Sequence, residues 1–228
     1  MNILTICPTK NRPEKCGKML ESFRSMTTIS SIVFILDNDE KFISEYKEML
    51  CEYNIEIYRE GTVTDKINKT FEKYNDYDFY HITNDDFVYQ TEEWDLKLID
   101  KIQSKGGIGI SYGNDLLTGQ ALPTAPMISA NIVKALGWLQ MPRLTHLYGD
   151  SVWKTIGHKL NILYYCHDVI IEHQHPQKDK KYKDSTFEYT NSKAMYQKDH
   201  QAFRSWVEDD YLSDIYKIKE LIDGKTTD

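Results

Sequence analysis

Short apolar runs alternate with amphipathic stretches through the first 112 residues of this 228-residue chain. The amphipathic stretches repeat apolar residues at helical spacing, and such alternation is typical of βα units wound into a mostly parallel sheet. The predicted strands are Asn2–Cys7, Ser31–Leu36, Ile55–Tyr58, Asp78–Thr83 and Ile108–Tyr112. The pattern therefore predicts an α/β fold with a mostly parallel central sheet flanked by helices.

The rhythm changes after residue 112. Ser129 is predicted to cap a short helix that ends at Gly137, and a second short helix is predicted to follow Gly149 and Asp150. Two more strands are predicted at Ile162–Tyr165 and Val169–Glu172. The polar segment 176–185 is predicted to be a mobile loop, and the remainder to about residue 222 to be helical.

Charge and cysteine content narrow the class of protein. The chain has 35 acidic and 28 basic side chains, a net charge of −7, which is the wrong sign for a protein that grips nucleic acid through its phosphates. Four cysteines without C-x-x-C spacing argue against a zinc ribbon and a secreted disulfide scaffold. No apolar run predicts a membrane span or a signal peptide. We therefore expect a cytoplasmic protein.

Polar residues follow three of the predicted strands directly. Ligands of open α/β sheets bind beyond the carboxyl ends of the strands, so these residues are candidates for a site. No glycine-rich phosphate motif is present, and a bound diphosphate would need a metal and basic side chains instead. Adjacent carboxylates suit Mg²⁺ or Mn²⁺, although Asp-Asp after a strand is also a common turn or helix cap. The residues are Pro8, Thr9, Asn11, Arg12, Asp37, Asn38, Asp39, Asn84, Asp85 and Asp86.

The segment ITNDDFVYQTEEWD resembles the aspartate-motif region of glycosyltransferases with the GT-A fold, especially family 2-like members. Five further segments resemble the motifs of that family in the expected order, and the resemblance covers about residues 3 to 176. It departs from the family in reading Asn84-Asp85-Asp86 for a strict D-x-D and in having Gly149 where Glu often precedes Asp. The five segments are ICPTKNRPEK, ILDNDE, EGTVTDKINKTFEKY, LYGDSVWKTIG and IIEHQHP.

The resemblance implies a GT-A catalytic domain over residues 1–176, with a nucleotide-sugar-binding half at 1–112 and an acceptor half at 113–176. Residues 177–228 then form a flexible loop and a helical extension. The implied activity is metal-dependent hexosyl or pentosyl transfer from a nucleotide-sugar, a UDP-sugar in many members, by an inverting displacement with Mn²⁺ or Mg²⁺ as cofactor. Lys178–Lys183 lies where many such enzymes have a lid that orders over the donor.

The resemblance also implies roles for particular residues. Asp150 is implied as the catalytic base, and Asp86 with His173 or His175 as the metal ligands. A nucleotide or diphosphate contact is implied for the residues that remain, which are Pro8, Thr9, Asn11, Arg12, Asp37, Lys66, Asn68 and Asp85.

Most of these residues have a plainer interpretation as well. Asp37 could be a turn residue, and Asp150 could be the N-cap of the following helix. One of the two histidines could simply pack, and Lys66 could lie on a solvated helix face. The tryptophans 94, 138 and 153 could stack on a sugar, but their helical spacing favours the core.

Three questions of function stay open at this stage. A non-catalytic nucleotide- or carbohydrate-binding module is one alternative, and a nucleotidyltransferase is another, although PTKNRPEK lacks the glycine-rich loop that such an enzyme needs. The acceptor is a glycan or, because small soluble glycosyltransferases of bacteriophages look similar, a hydroxylated base in DNA. That second acceptor requires basic residues around Arg143, Lys154 and the Lys178–Lys183 loop to offset the acidic net charge. No feature predicts stable membrane insertion or an oligomeric state.

Overall fold

The computed structural model describes residues 1–225, and within that range eight strands form one sheet in the order β3-β2-β1-β4-β7-β6-β8-β5. Apolar side chains alternate between the two faces of the inner strands, which explains why these segments are buried strands. The strands are β1 (Ile3–Pro8), β2 (Ser30–Asp37), β3 (Asn54–Tyr58), β4 (Phe79–Ile82), β5 (Phe87–Tyr89), β6 (Ile110–Asn114), β7 (Met127–Ser129) and β8 (Leu163–His173).

Strand direction places several strand ends at one edge of the sheet. The strands β3, β2, β1 and β4 are parallel, whereas β7 runs antiparallel to both β4 and β6. Because β8 is parallel to β6, β8 has the same direction as β1 and β4. The residues that follow Pro8, Asp37, Ile82 and His173 therefore meet at one edge.

Helices cover both faces of the sheet and bury two apolar clusters. The helices α1 (Pro13–Met26), α2 (Ile43–Met49) and α4 (Trp94–Gln103) pack on one face. The opposite face carries five helices, and their buried side chains form the larger cluster. They are α3 (Val63–Lys73), α5 (Ala130–Leu136), α6 (Gly149–Leu160), α8 (Lys193–Asp209) and α9 (Tyr211–Lys225).

The C-terminal helices belong to the core. Trp206 of α8 is 1% exposed and Ile218 of α9 is fully buried, and both lie in the same cluster as Trp138 and Trp153. The core interpretation of the three tryptophans is confirmed, since Trp94, Trp138 and Trp153 are all buried. Residues 226–228 of the predicted extension lie outside the described residues.

The structure differs from the predicted elements in the second half of the chain. The two strands predicted after α6 are one strand, β8, which continues through a register irregularity opposite Gly113 and Asn114. The short strands β5 and β7 were not predicted, because three residues are too few to show a period. Ser129 precedes α5, but its Oγ accepts the Gly109 N–H and does not cap the helix. The sheet is therefore parallel in one half and mixed in the other.

No helix within residues 1–225 combines the length and the apolar character needed to cross a membrane.

Candidate active site

The first feature of the strand-end edge is a buried hydrogen-bond chain that ends on Asp85. Arg12 N–H donates to the Tyr46 hydroxyl at 2.9 Å, which lies 2.8 Å from Thr9 Oγ1, and Thr9 Oγ1 donates to Asp85 Oδ2 at 2.7 Å. Arg12 Nη1 donates to Asp85 Oδ1 at 3.0 Å. Burial raises the pKa of Asp85 to about 6, and the charge of Asp86 adds to the rise while Arg12 opposes it. Both oxygens of Asp85 are therefore used to hold Thr9 and Arg12 in place.

Asp86 is different, because one of its oxygens is buried without a partner. Asp86 Oδ2 lies 3.4 Å from Arg12 Nη1, whereas Oδ1 accepts no hydrogen bond and lies 3.5 Å from His173 Nε2. His173 stacks on Phe87 with ring centroids 4.6 Å apart, and its Nδ1 is also buried without a partner. Burial raises the pKa of Asp86, but His173 and Arg12 outweigh it and hold the pKa below its ordinary value. Asp86 is thus an ionised carboxylate with one buried oxygen that accepts no hydrogen bond.

These two side chains fit part of a divalent-metal site. Among residues 1–225 no three His, Cys, Asp or Glu side chains are grouped so that they alone could hold a metal ion. Mg²⁺ is commonly held by only one or two carboxylates, with substrate phosphates and water supplying the other ligands. The orphaned Asp86 Oδ1 supplies one such carboxylate oxygen, and the imidazole of His173 is a further ligand group beside it. The ring of His175 packs against the ring of His173, with ring centroids 5.0 Å apart. His175 Nδ1 accepts the Gln177 N–H.

Four basic side chains lie near the strand ends, and each is paired within the protein. Lys10 Nζ lies 2.6 Å from Asp37 Oδ2, and Lys66 pairs with the other oxygen of the same carboxylate. Burial opposes the ionisation of Asp37, but hydrogen bonds from the two lysines outweigh it and lower its pKa. Asp37 is accordingly a bridge between β1, β2 and α3, and its carboxylate already has two cationic partners.

The other two basic residues are joined by Asp184, which comes from the segment between β8 and the short helix α7 (Ser185–Thr190). Arg12 Nη2 lies 2.8 Å from Asp184 Oδ1, and Lys15 Nζ lies 2.5 Å from Asp184 Oδ2. Although burial opposes it, pairing with Arg12 and Lys15 lowers the pKa of Asp184 to about 2. Thr186 Oγ1 also donates to the Lys10 carbonyl at 3.2 Å. The stretch predicted as a mobile loop is thus anchored over the strand ends.

Asp150 lies in the first turn of α6, after Tyr148 in the left-handed conformation and Gly149. The N-cap position belongs to Tyr148, so the interpretation of Asp150 as the N-cap is wrong. The Ser151 N–H donates to Asp150 Oδ1 at 2.7 Å, and Ser151 Oγ contacts the same oxygen at 3.4 Å. Burial raises the pKa of Asp150, while these bonds and the charge of His173 lower it in part. Asp150 is therefore a carboxylate with a raised pKa that lies within electrostatic range of His173.

Gly149 has no side chain, and Gln140 occupies the space beside it. A Cβ on Gly149 would lie 2.3 Å from Gln140 Oε1. The backbone of Gln140 is held by Asn68, whose Oδ1 accepts the Leu139 and Gln140 N–H groups and whose Nδ2 donates to the Gln140 carbonyl at 2.7 Å. Asn68 therefore holds the backbone of this loop, and its contact with a diphosphate or sugar stays a prediction.

The remaining predicted residues line the turn after β1. Pro8 ends the strand, and Asn11 has a φ of 57° and donates its N–H to Glu40 Oε2 at 2.9 Å. Sequence reasoning missed Lys10, Lys15 and Asp184. Lys15 follows Arg12 by one turn and could have been found by helical spacing, whereas Asp184 lies 172 residues from Arg12 and no sequence pattern connects the two.

Buried polar atoms without protein partners need an ordered water or a ligand, because folded proteins rarely leave such groups unsatisfied. Within residues 1–225, six buried side-chain nitrogen or oxygen atoms lack a hydrogen-bond partner, and all six belong either to the Asp86–His173 pair or to segment 140–153. The latter atoms belong to Gln140, Thr145, His146 and Trp153. Burial lowers the pKa of His146, the charges of Asp199 and Asp86 oppose this change, and Arg12 adds to it, so His146 lies within electrostatic range of Asp86.

No protein-family model and no curated protein sequence matches this chain. Solved structures do. A mannosyltransferase from Pyrobaculum calidifontis in complex with GDP-Man and Mn²⁺ matches with a TM-score of 0.60 at 12% identity, over 78% of this chain and 58% of its own. Glucosyl-3-phosphoglycerate synthase from Mycobacterium tuberculosis, in complex with Mn²⁺, UDP and glucosyl-3-phosphoglycerate, matches with a TM-score of 0.58 at 9% identity. The match covers 79% of this chain and 74% of the synthase.

A third match is a CMP:2-keto-3-deoxy-manno-octonic acid synthetase complexed with CTP. Its TM-score is 0.53 at 8% identity, over 79% of this chain and 96% of the synthetase. At such identities the matches establish the fold. The chain has the GT-A, Rossmann-like fold, as the sequence resemblance implied.

Proposed function

We propose that the protein is a metal-dependent glycosyltransferase that moves a sugar from a nucleotide-sugar to an acceptor hydroxyl. The proposal rests on the grouping of Asp86, His173, Arg12 and Asp150 at one edge of a GT-A sheet. Asp86 Oδ1 is buried there without a hydrogen-bond partner. Two of the matched structures, the mannosyltransferase and the glucosyl-3-phosphoglycerate synthase, hold Mn²⁺ together with a nucleotide-sugar or a nucleotide. A UDP-sugar is the donor we propose.

The chemistry follows from the charges at the site. A divalent cation held by Asp86 and His173 would act as a Lewis acid that offsets the charge of the departing nucleoside diphosphate. Arg12 and Lys15 add fixed positive charge beside it. Asp150 accepts the proton of the acceptor hydroxyl, since burial makes this carboxylate more basic than an exposed one. A single displacement of this kind inverts the anomeric centre.

The acceptor we propose is a glycan. A DNA acceptor would need a basic surface beside the site, but four of the basic residues that could form it, Arg143, Lys178, Lys181 and Lys183, are paired with acidic neighbours. Arg143 Nη2 lies 2.5 Å from Asp210 Oδ2, and Lys178 pairs with Glu172. These pairs offset much of the positive charge that would attract a phosphate backbone.

One matched structure favours a second candidate, a nucleotidyltransferase that joins a nucleotide to a sugar. The synthetase complexed with CTP is matched over 96% of its length. The turn after β1, PTKNRPEK, contains no glycine, so it offers no flexible backbone cradle for a nucleoside triphosphate. We therefore place this candidate second, and the same binding experiment separates the two.

The test of the proposal is a thermal-shift panel of nucleoside diphosphates, triphosphates and nucleotide-sugars, with and without Mn²⁺. A ligand present at 100 times its Kd stabilises the folded state by about 2.7 kcal/mol. We expect metal-dependent stabilisation by UDP and a UDP-sugar. Stabilisation by a triphosphate alone would favour the nucleotidyltransferase, and no stabilisation of the folded protein by any nucleotide would overturn the proposal.

Asp184→Asn should tighten the binding of UDP with Mn²⁺. The Asp184 carboxylate holds Arg12 and Lys15, which a diphosphate needs, and asparagine is an equally good N-cap for α7. We expect the Kd from calorimetry to fall roughly three- to tenfold, or about 0.7 to 1.4 kcal/mol.

Asp179→Asn is the matched control for that variant. Asp179 caps the neighbouring turn by accepting the Lys181 N–H and pairs with Lys181, away from Arg12 and Lys15. Its affinity for UDP should equal that of the wild type. Weaker UDP binding by Asp184→Asn would show that Asp184 holds the segment over the donor and does not compete with it.

A further inference from the structure

The loop that leads to Asp150 has no regular secondary structure of its own. It spans residues 137–148 between α5 and α6, and its last residues, Thr145, His146 and Leu147, come directly before Tyr148 and the first turn of α6. Buried backbone N–H groups need acceptors, and a loop without a ladder must find them elsewhere. The position of Asp150 therefore depends on what satisfies this loop.

Asp199, on the C-terminal helix α8, accepts all three of these N–H groups. Its Oδ1 accepts the Thr145 N–H at 2.8 Å, and its Oδ2 accepts the N–H groups of His146 at 2.8 Å and Leu147 at 2.7 Å. Asp199 is fully buried. Hydrogen bonds to a carboxylate are shorter and stronger than neutral ones, so this contact holds three successive residues in one geometry.

Helix α8 is itself firmly placed, so Asp199 is a fixed point for the loop. Trp206, two turns further along α8, is 1% exposed and donates its Nε1–H to Asp214 Oδ2 at 3.0 Å. Phe203 of α8 stacks on Tyr148 with ring centroids 5.4 Å apart and an interplanar angle of 29°. The helix thus contacts the loop at the Asp199 carboxylate and at the residue that begins α6.

We infer that Asp199 is a positioning residue that sets the place of Asp150 through the backbone of residues 145–147. The inference rests on the proposed function, because it assigns Asp199 to the same reaction. It also places part of the active site beyond residue 176, where the family resemblance ends. Small displacements of a reacting group have large effects on rate. The three hydrogen bonds accepted by Asp199 go to the backbone of residues 145–147 and not to Asp86 or Arg12 of the donor site.

The chain offers a matched control in Asp95. Asp95 on α4 is also fully buried and accepts three successive N–H groups, from Thr28 at 3.2 Å, Ile29 at 2.8 Å and Ser30 at 2.9 Å. Ser30 begins β2, so these three hydrogen bonds lie at the sheet edge opposite the candidate site. Asp95→Asn and Asp199→Asn therefore remove the same kind of contact at different distances from Asp150.

The experiment compares turnover, UDP affinity and melting temperature in the two variants and the wild type. We expect Asp199→Asn to lower kcat roughly 10- to 100-fold with a UDP Kd within about twofold of the wild type. Asp95→Asn should lower the melting temperature by a similar amount and leave kcat within about twofold. Equal effects of both variants on kcat, or a wild-type kcat in Asp199→Asn, would overturn the inference.

Hydrogen exchange separates this inference from the proposed function. The amides of residues 145–147 should exchange faster in Asp199→Asn and at the wild-type rate in Asp95→Asn. Unchanged exchange would overturn the inference even if the enzyme were active. If the wild type transfers no sugar, the proposed function fails, and the role of Asp199 in that reaction fails with it. Faster amide exchange in Asp199→Asn would then show only that Asp199 holds the loop at residues 145–147.

A second variant keeps the test decisive if Asp199→Asn does not fold. Phe203→Leu removes the ring stacked on Tyr148 and leaves the Asp199 carboxylate in place. We expect a smaller fall in kcat at unchanged UDP affinity. An unchanged kcat in this variant would show that α8 does not control Asp150.

Discussion

Asp86→Asn is expected to abolish the metal-dependent part of donor binding. The substitution keeps the shape of the side chain but removes the charge of the carboxylate whose free oxygen faces His173. Oxygen ligands without charge hold Mg²⁺ and Mn²⁺ far less tightly than carboxylates do. With Mn²⁺ present, we expect the UDP Kd measured by calorimetry to rise at least ~100-fold, or about 2.7 kcal/mol.

The control for this prediction is Asp39→Asn. Asp39 lies at the same edge and pairs with Lys10 at 3.3 Å, but its side chain is 74% exposed. The substitution Asp39→Asn removes the same charge but leaves Asp85 and Asp86 unchanged. Its effect on the Mn²⁺-dependent affinity for UDP should be small, because an exposed charge is screened. Equal UDP affinity in the wild type and in Asp86→Asn would contradict the assignment of Asp86 to the metal.

Asp150→Asn is expected to leave donor binding intact and to remove transfer. An amide cannot accept the proton of the acceptor hydroxyl, and general base catalysis contributes about 10²- to 10⁴-fold to rate. Asparagine can still accept the Ser151 N–H, so the start of α6 should keep its geometry. The measurement is the rate of sugar transfer at saturating donor, beside the UDP Kd of the same preparation.

The pH dependence supplies an independent check on the same residue. A base acts only when unprotonated, so the rate should fall as the pH drops through the pKa of Asp150. Burial raises that pKa above the ordinary aspartate value of about 3.9, and the acid limb should therefore lie at higher pH than for an exposed carboxylate. Transfer by Asp150→Asn at the wild-type rate would exclude Asp150 as the base.

The parallel half of the fold was predictable because its signals are local. Buried strands such as Ile3–Pro8 and amphipathic helices such as Val63–Lys73 show their periods within a dozen residues. The same local signals place Asp37 and the Asp85–Asp86 pair directly after strands. The direction of those strands then brings the residues to one edge, so the location of the candidate site was also within reach of the sequence.

The use of each side chain at that edge was not predictable. Asp85 and Asp86 are neighbours, yet Asp85 has both oxygens occupied by Thr9 and Arg12 while Asp86 has a free one. Asn68 lies on the helix where a donor contact was predicted, but its amide holds the backbone at Leu139 and Gln140. The spacing of residues along a chain predicts the face of a helix or strand on which a side chain lies. It does not predict which distant residue forms a hydrogen bond with that side chain.

By itself, the sequence determined the α/β class, the order of the main strands and helices, and the edge where acidic and basic side chains gather. Only the tertiary structure decided that Asp184 pairs with Arg12 and that Asp199 holds the loop before Asp150. The physical reason is range. Hydrophobic periodicity and turn residues act over a few positions, whereas these contacts join residues 172 and 54 positions apart, which meet only after the core has packed.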